Sequence, residues 1–301
     1  MDTKYVIETD IGRDPDDFIT LLWLIAQPDV EIDTVFITPG DLDQIAVADL
    51  IRRQCDVNFQ ICVPQSNRKE RVGKKSSGGT HYKLLNKYAA PLEVSPDTYE
   101  SVFKRIRNPR ILSIGPMTNL YEHFSSIKHQ MLDVTIQGGF TPYSVYEPTV
   151  KLDKFFNVEY YQSFNFGADI KAFDWASDFF RFGTYVSKNV CHTFETTLGD
   201  FNVNPTTRAG ELLYEFARMY FDKHSSKKLH DLLPAMISTG KYEESYMRSS
   251  GGKPIRNGSK FSWSKSKSIY SGENPVWTGY EYNKTVVDIN YLDFYEGLLR
   301  V

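Results

Sequence analysis

The sequence predicts an α/β protein, a single domain with a mostly parallel central sheet and a Rossmann-like architecture. Three observations carry this. Short β-branched runs alternate with stretches whose apolar residues recur every three or four positions, the rhythm of βαβ units. Several of these runs end in Gly, Pro or Asp, as strand ends feeding a turn do. The 301 residues, 41% of them hydrophobic, are enough to bury roughly three quarters of the unfolded surface.

In chain order, Tyr5-Val6-Ile7 is the first strand, followed by an acidic loop and an amphipathic helix from Phe18 to Gln27. Glu31 to Thr38 repeats the strand pattern, and Gln44 to Cys55 has helical spacing. Phe59 to Val63 and Arg110 to Ile114 are further strands. After the Gly115-Pro116 break, Met117 to Phe124 reads as a helix, and Val134-Thr135-Ile136 leads into Gly138-Gly139. A last strand over Thr285 to Ile289 and a terminal helix over Tyr291 to Leu299 close the pattern. Arg68 to Gly79, rich in Lys and Arg, and Ser249 to Asn274, rich in Ser, Gly and Lys, read as solvated loops or hairpins, or as lids over a site. No internal repeat or linker-like change of composition divides the chain.

Composition excludes several classes. With 35 Lys+Arg against 38 Asp+Glu, the net charge of −3 argues against a protein that binds nucleic acid through phosphate contacts. The longest apolar runs, such as Phe18 to Ala26, are far shorter than the ~20 residues of a membrane span. The opening Met1-Asp2-Thr3-Lys4 lacks the charged and apolar regions of a secretory signal. Cys55, Cys62 and Cys191 are odd in number and widely spaced, which suits a reducing compartment. The expectation is a cytoplasmic enzyme with a small-molecule substrate and neither nucleic acid nor membrane as partner.

In an α/β sheet, ligands sit beyond the carboxyl ends of the strands, so the loops there are the places to search. Glu8-Thr9-Asp10-Ile11-Gly12-Arg13-Asp14-Pro15-Asp16-Asp17 sets five carboxylates in ten positions between a strand and a helix. Asp14 or Asp16 can cap that helix, which accounts for one acid but not the group. Acids packed together repel unless a cation neutralises them, and oxygen ligands favour Ca²⁺ or Mg²⁺. Ile114-Gly115-Pro116-Met117-Thr118-Asn119 turns the chain after a buried strand, where it can leave a carbonyl unpaired. His230-Asp231 opens an apolar helix, either as ordinary caps or as a proton donor beside a metal ligand. Asn157 and Ser163-Phe164-Asn165 belong to a surface loop or bind hydroxyls.

In this order, the segments resemble the inosine–uridine preferring nucleoside hydrolase family over nearly the whole chain. Members open with Asp-x-Asp-x-Gly-x-Asp-Asp after a strand, approximated by Glu8 to Gly12 and Asp16-Asp17. Their Thr-Gly-Pro-Leu-Thr-Asn corresponds to Ile114 through Asn119, and their Gly-Gly to Gly138-Gly139. Their Asn six positions before Glu-Phe-Asn corresponds to Asn157 and Ser163-Phe164-Asn165, and their His-Asp to His230-Asp231.

The resemblance implies Ca²⁺-dependent hydrolysis of the N-glycosidic bond of a ribonucleoside, releasing free base and ribose, with base salvage as the cellular role. It implies Ca²⁺ held by Asp10, Asp17, Asp231 and the carbonyl of Ile114. Asp16 and Asn165 fall on the ribose hydroxyls, Asp231 bridges metal and sugar, and Asn157 meets the 5′-hydroxyl. Asp10 takes the part of general base and His230 that of acid near the leaving base. His81 lies in a segment that borders the site, and a homodimer or homotetramer is implied.

Three departures stand out. Arg13-Asp14-Pro15 takes the place of one residue, Asp41 replaces a common Asn after the second strand, and Ser163 replaces the Glu of the triplet. The last removes a negative charge where the sugar's 5′-end is expected, so a 5′-monophosphate or other 5′-substituted nucleoside is an alternative substrate. A phosphatase on the same acidic loop, or a catalytically silent nucleoside-binding relative, are the rival readings.

Overall fold

The computed structural model describes residues 4–65, 76–97, 106, 108–125, 132–180, 183–201, 205–241, 247–265 and 284–289. Among them, ten strands occur in chain order: β1 (Lys4–Thr9), β2 (Glu31–Ile37), β3 (Gln60–Cys62), β4 (Arg110–Ser113), β5 (Asp133–Gln137), β6 (Tyr161–Gln162), β7 (Gly183–Val186), β8 (Met247–Asn257), β9 (Lys260–Lys265) and β10 (Lys284–Ile289). Their spatial order is β3-β2-β1-β4-β5-β7-β10-β8-β9-β6. Every pairing from β3 through β10 is parallel. The pairings β10-β8, β8-β9 and β9-β6 are antiparallel.

The helices are α1 (Pro15–Ala26), α2 (Leu42–Gln54), α3 (Gly79–Lys87), α4 (Thr118–Phe124), α5 (Phe164–Ala168), α6 (Ile170–Phe179), α7 (Lys188–Cys191), α8 (Arg208–Phe221) and α9 (Leu232–Ser238). The parallel strands are apolar on both faces because helices cover both. Ile7 and Leu112 join Phe18, Leu22, Phe216 and Leu232 in one core cluster. Their neighbours Val6 and Ile111 point the other way, into a second cluster with Phe124, Phe166 and Phe173.

The first five strands expected from the sequence and the helices that follow three of them are present, with ends displaced by a few residues. The segment expected to be a loop or hairpin is, as far as residue 265, the hairpin of β8 and β9, closed at Asn257↔Lys260. Gly258 in this turn has a φ of 60°. Trp263 of β9 is buried against Tyr185. Residues 66–75, 266–274 and the expected terminal helix lie outside the described residues.

Candidate active site

β1 lies between β2 and β4, so the chain leaves β1 toward one edge of the sheet and later returns to its other side. This is the switch point at which open α/β sheets form a crevice. The opening acidic loop follows β1, Ile114 follows β4, Gln137 ends β5 and Lys188 begins the helix after β7. Four consecutive parallel strands therefore aim their ends at one place.

Local chemistry shapes each wall. Gly12 takes a φ of 100° and lets the loop turn back toward α1. Asp14 occupies the N-cap position of α1 without a capping hydrogen bond, Pro15 begins the helix, and Asp16 and Asp17 occupy its first turn. Asp14 Oδ1 instead faces Lys227 Nζ at 3.3 Å. Gly115 is required by proximity: a Cβ there would lie 2.6 Å from the carbonyl carbon of Thr9 and 2.7 Å from the nitrogen of Asp10. The Gly-Pro turn thus brings the β4 loop onto the backbone of the β1 loop. The backbone nitrogens of Ile114 and Gly115 both donate to Glu8 O, at 2.8 and 3.1 Å.

The resulting cleft has a volume of about 370 Å³. Asp10, Asp16, Asp17, Asp231 and Ile114 line its acidic part, and Gln137, Ser163 and Asn165 another wall. Arg13, Asp14, Phe164, Lys188 and His230 complete it. Asp17 Oδ1 accepts a hydrogen bond from the Thr9 hydroxyl, which itself accepts from Ile11 N. Asn165 Nδ2 donates to Ile114 O at 2.8 Å and to Gln137 Oε1 at 2.7 Å, joining the two walls. His230 Nδ1 stands 3.7 Å from Asp16 Oδ2.

Carboxylate oxygens of Asp16, Asp17 and Asp231 lie within 4.8 Å of one another, and all three residues are buried. Burial first, and then the neighbouring acids, push Asp17 and Asp231 well above the ordinary carboxylate range. Burial raises Asp10 to about 7, against the opposing pull of Arg13. Asp16 moves the other way: the His230 ring and Lys227 beside it outweigh burial and hold it down. Asp16 Oδ1 is nevertheless buried without a hydrogen-bond partner. A buried all-oxygen set that repels itself and leaves an oxygen unsatisfied fits a hard divalent cation. The cluster can therefore hold a metal ion.

The structure brings eight of the expected residues into the cleft: Asp10, Asp16, Asp17, Ile114, Ser163, Asn165, His230 and Asp231. Three lie outside its lining. Asp41 starts α2, where its backbone nitrogen donates to Gln44 Oε1 at 3.0 Å; Gln44 Nε2 donates to Asp10 O at 3.2 Å. His81 is buried between Phe18 and Phe216, and burial lowers it to about 4. Asn157 is exposed on a turn, with a φ of 56°. Arg13, Asp14, Gln137, Phe164 and Lys188 line the cleft without having been singled out as site residues. For Gln137 and Lys188 the available signal was position alone, each falling at or just beyond the end of a parallel strand. His192 packs its ring 4.8 Å from that of His230.

No curated protein sequence matches the chain. Among solved structures, a plant nucleoside hydrolase, PpNRh1, superposes with a TM-score of 0.70 at 18% identity, covering 99% of this chain and 98% of that one. The inosine–uridine preferring nucleoside hydrolase from Bacillus anthracis gives 0.62 at 13% identity, with 99% and 98% covered. The purine-preferring ribonucleoside hydrolase from Gardnerella vaginalis gives 0.61 at 13%, with 99% and 97% covered. The sequence profile of the inosine–uridine preferring nucleoside hydrolases matches residues 5–288. The chain belongs to that family, as an enzyme that hydrolyses the N-glycosidic bond of nucleosides.

Proposed function

We propose that the protein hydrolyses a ribonucleoside to free base and ribose in a Ca²⁺-dependent reaction. The observation that carries this is the convergence of buried acids, Asn165 and His230 in one cleft at the sheet's switch point. Asp10, Asp17, Asp231 and the carbonyl of Ile114 are the ligands the resemblance proposes, and Asp16 belongs to the tightest carboxylate group. When bound, the ion offsets the repulsion among the acids and supplies Lewis acidity to the reacting oxygens.

The chain's own groups divide the remaining work. Breaking the bond builds positive character on the sugar and negative charge on the departing base. Asp10, in the cleft lining, accepts the proton of the attacking water. Asp16 and the Asn165 amide hold the ribose hydroxyls, so that contacts tighten as the ring flattens. His230 delivers a proton to the base as it leaves. The added water ends as the new anomeric hydroxyl of ribose and the proton on the base. In the same reading Asn157, on an exposed turn, is the residue that meets the 5′-hydroxyl. Asp41 and His81 are the remaining substrate-binding residues of this reading; Asp41 adjoins the acidic loop through Gln44, and His81 packs against Phe18 of α1.

Action in the cytoplasm, base salvage and a homodimeric or homotetrameric assembly belong to this reading through the family resemblance. The test is base release by chromatography from a panel of ribonucleosides and their 5′-monophosphates, with Ca²⁺ and with chelator. Calcium-dependent release supports the reading; no release from any member of the panel overturns it in favour of a silent binding protein, and release of phosphate instead of base indicates a phosphatase.

A further inference from the structure

Opposite the acids, the cleft lining carries Lys188, while Lys154 and Lys228 lie outside that lining. Lys188 lines the cleft, half-buried, with Nζ donating to Gln162 O at 3.2 Å and standing 5.3 Å from the Tyr161 ring. Lys154 Nζ lies 2.7 Å from His192 Nδ1, and the His192 ring in turn packs on His230 of the cleft. Lys228 is half-buried two residues before His230. Among the described residues, none of these three lysines pairs with a carboxylate, whereas neighbouring Lys227 faces Asp14 and Asp16. Burial, followed by repulsion from Lys228 and Lys188, depresses Lys154; burial depresses Lys188. A half-buried lysine in the cleft lining without a carboxylate partner among the described residues is what an anion would relieve.

The same wall carries the family departure at Ser163. Its Oγ accepts from Gly139 N at 3.0 Å, and Gly139 O accepts from Lys188 N at 3.1 Å, so serine and lysine flank one glycine. The hydroxyl proton of Ser163 has no acceptor among the described residues and is available to an incoming oxygen. A glutamate here would repel a phosphate; serine with Lys188 beside it does the reverse. Arg13 adds a further cation to the cleft lining, its guanidinium 5.1 Å from the centre of the Phe164 ring.

We propose that Ser163 and Lys188 form a subsite for a phosphate ester at the 5′-carbon, making nucleoside 5′-monophosphates the preferred substrates. The acids on the opposite side act on the sugar, and Ser163 and Lys188 hold the phosphate. The bond broken is still the N-glycosidic one: water adds to the anomeric carbon, the base leaves with a proton, and ribose 5-phosphate is the second product. The proposal rests on the hydrolase reading above and narrows its substrate.

The test compares kcat/KM for base release from a nucleoside and from its 5′-monophosphate, in the wild type and in Lys188→Gln. The wild type is expected to favour the monophosphate, and Lys188→Gln to reduce that preference by about 10- to 100-fold, as loss of one charge-assisted contact does. Cleavage of the nucleoside with no preference for the monophosphate, or a preference untouched by the substitution, overturns the subsite and leaves the hydrolase reading standing. If neither substrate is cleaved, that reading fails, and calorimetry with ribose 5-phosphate and ribose decides the subsite alone. Tighter binding of ribose 5-phosphate that Lys188→Gln abolishes supports it; equal binding of the two sugars overturns it.

Discussion

Glu8 and Asn119 meet at 2.8 Å, the carboxylate of β1 accepting from the amide at the start of α4. The same carboxyl accepts from the Thr38 hydroxyl at 2.6 Å and from Leu120 N at 3.0 Å, so one buried acid joins the ends of β1 and β2 to α4. Burial raises its pKa from 4.5 to about 8, although the three donors oppose this. A folded pKa above the unfolded one gives stability that is complete below the unfolded value and is lost as pH rises through the folded value. The metal-free protein should therefore lose stability between about pH 5 and about pH 8, and Glu8→Gln should lose less over that range. Urea unfolding in chelator at several pH values measures both; parallel profiles would remove Glu8 as the source.

Metal binding should release protons. Asp17 and Asp231 are raised well above the ordinary range, and Asp10 to about 7, each with burial as the leading cause. A cation must displace whatever protons they hold, so apparent Ca²⁺ affinity should weaken by about tenfold per pH unit for each proton displaced. Calorimetric titration in buffers of different ionisation enthalpy counts those protons. At about 100 times its Kd, the ion should add about 2.7 kcal/mol of stability.

Asp10→Asn should lower kcat by about 10²- to 10⁴-fold, the usual worth of a general base, with the fold retained. Wild-type rates with a native circular dichroism spectrum would refute its role.

His230→Ala should lose about 10²-fold or more on a nucleoside, and much less on a riboside whose leaving group needs no proton, such as 4-nitrophenol. Equal losses on the two substrates would make His230 a structural contact of Asp16 rather than an acid.

Gly115→Ala places a methyl group 2.6 Å from Thr9 C, against backbone rather than a movable side chain. A cost of about 1–3 kcal/mol is expected, as for overpacking elsewhere, together with weaker Ca²⁺ binding because the Ile114 carbonyl is displaced. Denaturant unfolding and calcium titration of the variant check both.

What could be read in the sequence followed from local rules. The β-branched runs that became β1, β2, β4 and β5 are buried on both faces, so their apolar character is continuous and easily seen. The acidic loop was legible because five carboxylates have no cheap structural explanation. β8 and β9 were harder: Ser, Gly and Lys dominate them, and their pairing with each other, and that of β8 with β10, supplies what propensity does not. Lys188 was invisible because Ser-Lys-Asn after an apolar run describes any helix start. His192 was invisible for a related reason: only the fold brings it from the start of one loop to the ring of His230.

β10 occupies the middle of the sheet, and Val286 O accepts from the hydroxyl of Ser187, 99 residues earlier, at the base of the wall that carries Lys188. During synthesis at roughly 5–20 residues per second, that wall waits on the order of 5–20 s for its backing strand. The nascent chain can assemble the acid loop long before the opposite side of the cleft is braced. A chain that ends before β10 lacks the strand whose Val286 carbonyl holds Ser187, the residue next to Lys188.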